Sequence, residues 1–488
     1  KSAEVILANW IYTICEGLND RRIFFMKGNQ KYDNGRQLHI EDYLQENKLK
    51  TKGNVEVPSA FVVPSKEEID TKTVTNELLE KILSKDNLNR AFKRVKANKG
   101  ASGIDDMKVD ELLQYLKENG EQIKEDIRNG KYNPKAVRRV EIPKADGNKR
   151  KLGIPTVEDR IVQMVAKIYF EPKVEKIFYE DSCGYRPNKS AIQAVGVLRE
   201  RCWQKDWVVD FDIKGLFDNI RHDYLIEMVK RHTEEQWIIL YIERWLKTPF
   251  KMQDGTIVER TAGTPQGGVI SHVLANLFLH YVFDDFISKE FPNIPWVRYA
   301  DDGALNCVSI KQAKYIIKVL DKRFKTFGLE LNLSKTKIVY CKDDDRKGNY
   351  ENISFDFLGY TFKPRHAKNK YGEYFTSFLH AMSDKVQKAV RKEIRNWKLQ
   401  LKSDKTLKDI ANMFNSKIQG WINYYSHFYK SEVIYTLNYI NRCLVKWVRR
   451  KYKKRNSRKR AINWLREIAK RDTKLFAHWK YGILPTAV

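Results

Sequence analysis

The stretch Trp296–Val308 constrains this 488-residue chain more than any other. It consists of two short runs of strand-forming residues joined by a bend at residues 299–302, Tyr-Ala-Asp-Asp. A tight hairpin would place Asp301 and Asp302 at its tip, where no neighbouring strand covers them. Adjacent carboxylates repel each other unless a cation lies between them, and Mg²⁺ is a hard cation that takes oxygen ligands. The stretch therefore predicts a metal-binding hairpin.

Paired acidic residues are not rare in this chain, so the pair alone is weak support for a catalytic role. Similar groups occur at Asp105-Asp106, at Asp284-Asp285 and in the run Asp343–Asp345. We expect most of them to lie in solvated turns. The assignment of Asp301 and Asp302 depends on the segments that accompany them.

The charge of the chain predicts a polyanionic partner. The formal net charge is +29, and aromatic residues make up 12% of the sequence, which a disordered basic tail would lack. A merely soluble basic protein is the alternative, but an excess of this size favours a folded protein with an extended nucleic-acid-binding surface. The length predicts two to four domains.

The six cysteines are scattered, without a CxxC or Cys/His cluster, so neither a zinc finger nor a Cys/His-ligated nuclease is supported. This pattern is typical of reduced thiols in a cytosolic protein. No apolar run approaches 18 residues and no secretory signal is visible, so we expect no membrane span. The sequence begins with Lys1 rather than Met, which favours a natural start further upstream.

A second acidic strand is expected at Trp207–Ile213. Its alternation places Asp210 and Asp212 on one face, where one can be a metal ligand and the other structural. Carboxylates from this strand and from the hairpin would converge if the two strands are neighbours in one antiparallel sheet. Two-metal phosphoryl transfer requires such convergence on ions roughly 4 Å apart.

Basic and glycine-rich segments accompany these strands. Residues 135–155 predict a hairpin with cations on both arms and at its tip, which is either a solvated edge or a clamp for a triphosphate. The loop Arg260–Ile270 is rich in Gly, Thr and Pro and would let a base or a backbone approach closely. After about residue 375 the pattern predicts helices at 378–401, 407–428 and 434–453.

The segment Lys446–Arg460 contains ten Lys or Arg in fifteen residues and no acidic residue. Such a run is usually a solvated helix face. Trp447 and Tyr452 lie within it, which favours contact with a nucleic-acid backbone combined with base stacking.

Together these segments resemble a bacterial reverse transcriptase of the group II intron type with its maturase domain, over roughly residues 75–480. The motifs that carry the resemblance are, in chain order, Asp212–Asp218, Thr264–Gly268, Tyr299–Asp302, Leu331–Thr336, Phe357–Tyr360 and Gly420–Tyr425. The resemblance implies that Asp212, Asp301 and Asp302 are catalytic and, with the Ile213 backbone carbonyl, bind two Mg²⁺ ions, for which Mn²⁺ could substitute.

Other roles follow only from the resemblance. The residues expected to bind the incoming nucleotide are Arg138, Lys144, Arg150, Phe217, Gln266 and Lys335, with Phe217 as the gate that blocks a ribose 2′-hydroxyl. The primer grip is expected at Phe357, Leu358, Gly359 and Tyr360. Nucleic-acid contacts are expected from Arg186, Lys189, Lys446, Arg449, Arg450, Lys451, Lys453 and Lys454, although Arg186 and Lys189 could equally be surface charges.

The expected fold is α+β, a right-hand polymerase with helical and fingers residues 71–200, a palm of antiparallel strands at 201–372, a helical thumb or maturase domain at 373–445 and a basic DNA-binding-like region at 446–488. Residues 1–70 form an extension without an assigned role.

The expected activity is RNA-directed DNA synthesis on an RNA template from a DNA primer and dNTPs, together with intron RNA binding, splicing assistance and retrohoming. We expect it in the bacterial cytoplasm and leave its oligomeric state open. Two alternatives remain open. One is a domesticated relative in phage defence, DNA repair or CRISPR spacer acquisition, and the other is an RNA-binding splicing factor with a vestigial polymerase.

Overall fold

The computed structural model describes residues 72–143 and 149–486. The predictions for residues 1–70, for Lys144 and for the turn that follows it lie outside this range. The helices are α1 (Lys72–Ile82), α2 (Lys85–Ala97), α3 (Leu112–Arg128), α4 (Val157–Glu175), α5 (Ala191–Gln204), α6 (Leu216–Asn219), α7 (His222–Lys230), α8 (Gln236–Lys247), α9 (Ser271–Leu279), α10 (Asp285–Glu290), α11 (Ile310–Thr326), α12 (Asp384–Asn396), α13 (Leu407–Tyr425), α14 (Lys430–Lys451), α15 (Arg458–Arg471) and α16 (Ala477–Lys480). The strands are β1 (Val137–Pro143), β2 (Lys149–Ile154), β3 (Trp207–Asp212), β4 (Phe250–Lys251), β5 (Ile257–Val258), β6 (Trp296–Tyr299), β7 (Asp302–Cys307), β8 (Lys337–Tyr340), β9 (Phe355–Phe357), β10 (Tyr360–Lys368) and β11 (Tyr374–Met382).

The central sheet has the strand order β6-β7-β3-β8, and each neighbouring pair is antiparallel. Its strands are buried on both faces, which explains their nearly continuous apolar sequences. Val209, Phe211 and Leu305 belong to one hydrophobic core, whereas Val208 and Ala304 belong to a second core on the other face. The sheet thus packs against buried side chains on both of its faces, and its antiparallel strands together with separate helices make the fold α+β.

The N-terminal sheet contains the predicted basic hairpin. Strands β1 and β2 are antiparallel, with Ile142 opposite Arg150, and β4 adds to β1 in parallel. The hairpin prediction is therefore confirmed for the described residues. Strand β2 also contacts the glycine-rich loop, because the Gly153 amide donates to the Gln266 carbonyl at 3.1 Å.

The C-terminal sheet corrects one helix prediction. Residues 378–382 were expected to begin a helix, but they end strand β11, which pairs with β10 from Tyr360 opposite Met382 to Lys368 opposite Tyr374. A short apolar run is compatible with either structure, and here the long neighbouring strand decides it. The helix begins only at α12, where Ser383 accepts a hydrogen bond from the Val386 amide as N-cap.

The helices after β11 form a bundle around aromatic side chains. The Trp397 ring stacks on Phe414 and Trp421, with centroids 4.2 and 5.8 Å apart. Trp421, Tyr424 and Tyr425 are buried in the core of this bundle. Within the described residues, no helix combines the length and the apolar character that crossing a membrane requires.

Candidate active site

The predicted hairpin is present, and its turn has an unusual backbone. Strands β6 and β7 pair with Tyr299 opposite Asp302, so Ala300 and Asp301 form the bend. Ala300 has φ of +59°, a left-handed conformation that is costly for a residue with a Cβ atom. The surrounding structure must therefore hold this turn in place.

Arg298, two residues before the turn, is part of that support. Its side chain is fully buried and forms an ion pair with Asp284, which is also fully buried, with Nη2 to Oδ2 at 2.6 Å and Nε to Oδ1 at 2.8 Å. Its Nη1 donates to the Ala300 carbonyl at 2.9 Å and to Asn276 Oδ1 at 3.1 Å, and Nη2 donates to Ser182 Oγ at 2.7 Å. The guanidinium therefore links the strained turn to Asp284 at the end of the π-helical segment His280–Asp284.

Sequence reasoning missed this pair. Asp284 is an exception to the expectation that most paired acids lie in solvated turns, because its side chain is fully buried. A charged residue inside an apolar helix pattern is the signal that could have revealed it, because a buried carboxylate needs a cationic partner.

Gly184 allows a second segment of the chain to support the turn at Ala300. A Cβ atom on Gly184 would lie 2.2 Å from the Ala300 nitrogen, so only glycine allows the loop between α4 and α5 to pass directly beneath the turn. The Gly184 carbonyl accepts a hydrogen bond from Asn276 Nδ2 at 2.7 Å, and Asn276 also contacts Arg298. The loop, helix α9 and the hairpin are thus connected by one buried polar network.

Asp212 ends strand β3 directly opposite Asp302. Its Oδ2 accepts from Asn332 Nδ2 at 2.9 Å and lies 3.2 Å from Lys335 Nζ. Two backbone bonds tie this strand end to the Asn332 turn: Lys214 N to Glu330 O and Asn332 N to Asp212 O, both at 2.8 Å. Neither bond uses the Ile213 carbonyl.

The carboxylates at this end of the central sheet repel one another when they are ionised. Loss of hydration in the surrounding protein, followed by repulsion from Asp301 and Asp212, raises the pKa of Asp302 to about 7, while Lys335 and Arg150 act to lower it. The Asp302 side chain is nevertheless accessible from solvent. Burial, followed by the charge of Asp302, also raises the pKa of Asp210 well above its ordinary value.

This donor set fits a divalent cation. The three carboxylates lie at the same solvent-accessible sheet end with partly uncompensated repulsion, and oxygen ligands suit a hard ion. Within residues 72–143 and 149–486, the side chains as they stand bring no three Asp, Glu, His or Cys groups close enough together to hold a metal ion. Lys335 instead supplies the nearby positive charge at Asp212.

Phe217 lies in the short helix α6 after Asp212 and is buried among aromatic rings. Its ring makes edge contacts with Tyr185 and His272, with centroids 6.4 and 5.7 Å away. Its carbonyl accepts a hydrogen bond from the Thr264 amide at 2.7 Å, so the glycine-rich loop packs on the same segment. Burial lowers the pKa of His272 to about 4, which keeps the ring neutral. Tyr185 and His272 were not identified from the sequence, because their only signal is proximity in space.

The expected nucleotide-binding cations do not all point to the carboxylates. Arg150 on β2 acts electrostatically on Asp302. Arg138 instead donates to the Gly103 carbonyl at 2.9 Å and pairs with Asp106 at 2.8 Å. Lys144 lies outside the described residues, and the half-buried Gln266 contacts β2 through its carbonyl.

The predicted primer-grip segment is a tight turn held by the helical bundle. Leu358 and Gly359 have φ of +49° and +81° between strands β9 and β10. The Leu358 carbonyl accepts from the Tyr424 hydroxyl at 2.9 Å, and the Tyr360 hydroxyl donates to the Tyr424 carbonyl. Phe357 and Tyr360 are buried, so the exposed part of this segment is its turn.

Two of the expected nucleic-acid contacts have protein partners. Arg186 is buried, pairs with Glu175 at 2.8 Å and donates to the Ser182 carbonyl at 2.7 Å, which favours a structural role. Lys189 pairs with Glu180.

The basic segment near the C-terminus also differs from expectation in one respect. Trp447 is fully buried and donates to the Lys402 carbonyl at 2.8 Å, so the predicted stacking role of this ring is wrong. It faces the core because it lies on the apolar side of α14. Of the cations expected here to contact nucleic acid, Lys446, Arg449, Arg450, Lys453 and Lys454 are exposed, whereas Lys451 is half-buried.

An antiparallel sheet with three carboxylates at one end, flanked by a basic hairpin and a helical bundle, defines a right-hand nucleic-acid polymerase. Comparison with known proteins agrees. A family model for "Reverse transcriptase (RNA-dependent DNA polymerase)" matches residues 142–362, and one for "Group II intron, maturase-specific domain" matches residues 387–464.

Two curated relatives, LtrA and YkfC, agree with these family matches. The group II intron-encoded protein LtrA of Lactococcus lactis subsp. cremoris is 26% identical, over 74% of this chain and 72% of that protein. Protein YkfC of Escherichia coli (strain K12) is 28% identical, over 61% of this chain and 84% of that protein. A solved telomerase from Candida albicans has a TM-score of 0.41 at 14% identity and covers 77% of this chain and 71% of that chain.

The chain belongs to the group II intron reverse transcriptases that carry a maturase domain. It is an RNA-directed DNA polymerase that uses an RNA template and binds intron RNA in splicing. Divalent metal dependence is general in this family.

Proposed function

We propose that Asp212, Asp301 and Asp302 hold two Mg²⁺ ions and that the chain extends a DNA primer on RNA with dNTPs. The observation that carries the proposal is the pairing of Asp212 opposite Asp302 beside the Asp301 turn. When bound, the ions would supply activation of the primer 3′-hydroxyl and charge stabilisation at the leaving pyrophosphate. The Ile213 carbonyl, which neither flanking backbone bond uses, is a further proposed ligand.

The protein groups around the carboxylates position the reactants in this proposal. Asn332 orients the Asp212 carboxylate, and Lys335 brings a positive charge to the same oxygen. Arg150 extends the positive field from the N-terminal sheet towards the triphosphate. The turn at Leu358 and Gly359 supports the primer strand from the side of the helical bundle.

We also propose the domain division expected from the sequence, and retrohoming of the intron as the process served. The bacterial cytoplasm is the proposed location. The five cysteines in the described part of the chain are free and buried, which suits a reducing compartment.

Primer extension tests the central proposal. Purified protein, an RNA template with an annealed DNA primer and dNTPs should yield extended DNA with Mg²⁺ or Mn²⁺ and none with a chelator. Extension on a DNA template of the same sequence, compared with extension on the RNA template, measures the template preference. The complete absence of metal-dependent extension across pH and salt would contradict the polymerase proposal.

Replacing Phe217 with valine should weaken discrimination against ribonucleotides by about 100-fold, the upper range for a shape difference in an apolar pocket. The smaller side chain would leave room for the 2′-hydroxyl. The measurement is the ratio of kcat/KM for dNTP and rNTP incorporation. Phe327→Val is the control for general core loosening, because Phe327 is equally buried, at 7% exposure, elsewhere in the same core. Equal ratios in both variants would contradict the gate assignment.

Replacing Lys335 with alanine should raise the KM for dNTPs about tenfold, because a charge-assisted contact to phosphate is worth roughly 1.5–3 kcal/mol. Steady-state extension on a homopolymeric RNA template measures the effect. Lys322→Ala, which removes an exposed lysine of α11, is the control. An unchanged KM in Lys335→Ala would contradict a contact with the triphosphate and would leave Lys335 only its ion pair with Asp212.

A further inference from the structure

A cavity of about 280 Å³ lies near the C-terminal end of the described chain, between α14, α15 and the segment that ends at Thr486. Its wall on α14 includes Arg442, Lys446 and Arg449, and α15 contributes Arg458. The lining contains no acidic residue. Of these four cations, only Lys446 and Arg449 were expected from the sequence to meet nucleic acid, and a concave site was not expected.

The spacing of the α14 cations concentrates positive charge on one helix face. Residues 442, 446 and 449 are four and three positions apart, so their side chains project from neighbouring turns. All three are exposed and none pairs with a described carboxylate, although Arg449 Nε donates to the Asn456 carbonyl at 2.6 Å. Like charges at this spacing are mutually destabilising, and an anion bound between them would remove that cost.

The interior of the cavity differs from its rim. Val445, Ile462 and Pro485 line it and are buried, whereas the four cations are exposed. The cavity thus combines a chiefly apolar interior with a ring of phosphate-binding groups. A flat basic surface differs from this cavity, because it can contact the phosphates along a nucleic-acid strand but cannot enclose a base.

The cavity is held open by a buried polar network at its base. Asn441 donates from Nδ2 to the Ile483 carbonyl at 3.0 Å, and its Oδ1 accepts from Trp479 Nε1 at 2.9 Å. Complete burial lowers the pKa of His478 to about 3, and the neutral ring donates from Nε2 to the same oxygen at 2.9 Å. Arg466 Nε also donates to the Pro485 carbonyl at 3.3 Å. These bonds fix the C-terminal segment as the third wall.

We propose that this cavity binds one unstacked nucleotide of a single-stranded nucleic acid, with the base against Val445, Ile462 and Pro485 and the flanking phosphates on the four cations. The proposal rests on the nucleic-acid binding proposed above and deepens it. It assigns a site for a single base where the sequence predicted only contacts with the phosphate backbone. RNA and DNA share the chemistry, since both offer an aromatic base and anionic phosphates.

Binding without nucleotides or synthesis tests the charged rim. Fluorescence anisotropy with single-stranded RNA and DNA oligonucleotides would compare the full chain with Arg442→Ala/Lys446→Ala. The matched control is Lys314→Ala/Lys318→Ala, two exposed lysines at the same spacing on α11. The rim variant should bind about tenfold more weakly and reduce the salt slope of log K by about 1.4, because each phosphate contact contributes about 0.7 for single strands. An unchanged slope would overturn the proposal.

The base is tested with oligonucleotides that carry one abasic position, moved along the strand. In the wild type, one position should weaken binding about fivefold or more, the factor expected when about 40 Å² of base surface is no longer removed from water by the apolar lining. Pro485→Trp should narrow the cavity from the loop wall and reduce that penalty, and Val445→Trp narrows it from α14 if the first variant does not fold. If no abasic position weakened binding by the wild type while Arg442→Ala/Lys446→Ala still did, the nucleotide site would be overturned. The cations would then only contact the phosphate backbone.

Comparing the affinities for the RNA and the DNA oligonucleotides shows which of the two nucleic acids the cavity prefers. Primer extension on the same preparations keeps the two proposals distinguishable, because failure of synthesis with an intact abasic effect contradicts only the polymerase site.

Discussion

Replacing Asp212 with asparagine should lower kcat for primer extension by about 10³-fold, the upper range for loss of one electrostatic group at a reacting centre. The amide keeps the shape but removes the charge that Asn332 Nδ2 and Lys335 Nζ now meet at 2.9 and 3.2 Å. It also removes a proposed metal ligand. Single-turnover extension with saturating dNTPs and Mg²⁺ measures the change directly.

The control for this variant lies beside the opposite end of the same strand. Asp206→Asn changes an acid just before β3, at the end opposite Asp212, where the side chain is half exposed and lies 3.8 Å from Arg346. It should alter kcat by less than about threefold, as expected for an exposed ion pair. RNA binding and thermal stability should stay unchanged in Asp212→Asn, because removing one of three repelling carboxylates does not weaken packing. Equal loss of activity in the two variants would contradict the catalytic assignment.

Replacing Arg298 with methionine should lower the local stability of the central hairpin by about 3–5 kcal/mol, since it leaves the fully buried Asp284 carboxylate without its cation. The variant also removes the bonds to the Ala300 carbonyl and to Ser182, so the left-handed turn loses its support. Hydrogen exchange of the amides in residues 296–307 measures this free energy for the hairpin itself.

An exposed pair of the same residue types provides the comparison. Arg221 and Asp223 form an ion pair on the surface, and Arg221→Met should cost about 0–1 kcal/mol. Adding Asp284→Asn to Arg298→Met should recover part of the loss, because the unpaired buried charge disappears. Equal exchange rates in Arg298→Met and Arg221→Met would show that the buried pair does not hold the hairpin.

The polymerase signature was predictable because it is local. Alternating apolar residues around Tyr299–Asp302 specify two strands and a bend, and the pattern around Asp212 specifies a strand that ends in a carboxylate. The basic hairpin of β1 and β2 has the same kind of signal. Periodicity and turn chemistry act within a few residues, so a single sequence contains them.

Elements whose identity depends on distant partners were not predictable in this way. Residues 378–382 become a strand because β10 lies beside them, and Trp447 is buried although it lies in a strongly basic segment. In both cases the surroundings override the local pattern. The roles predicted for Arg138 and Arg186 meet the same difficulty, since each guanidinium has protein partners that its flanking residues do not reveal.

The sequence by itself determined which residues could do the chemistry: the acids of two strands, the gate that follows one of them and the basic segments around them. Only the tertiary structure decided how these groups are held. It set Asp212 opposite Asp302, placed Gly184 beneath Ala300 and buried Arg298 with Asp284, 14 residues away in sequence. Chemical identity belongs to single residues, whereas burial, ion pairing and a left-handed turn depend on contacts between segments that lie far apart in the chain.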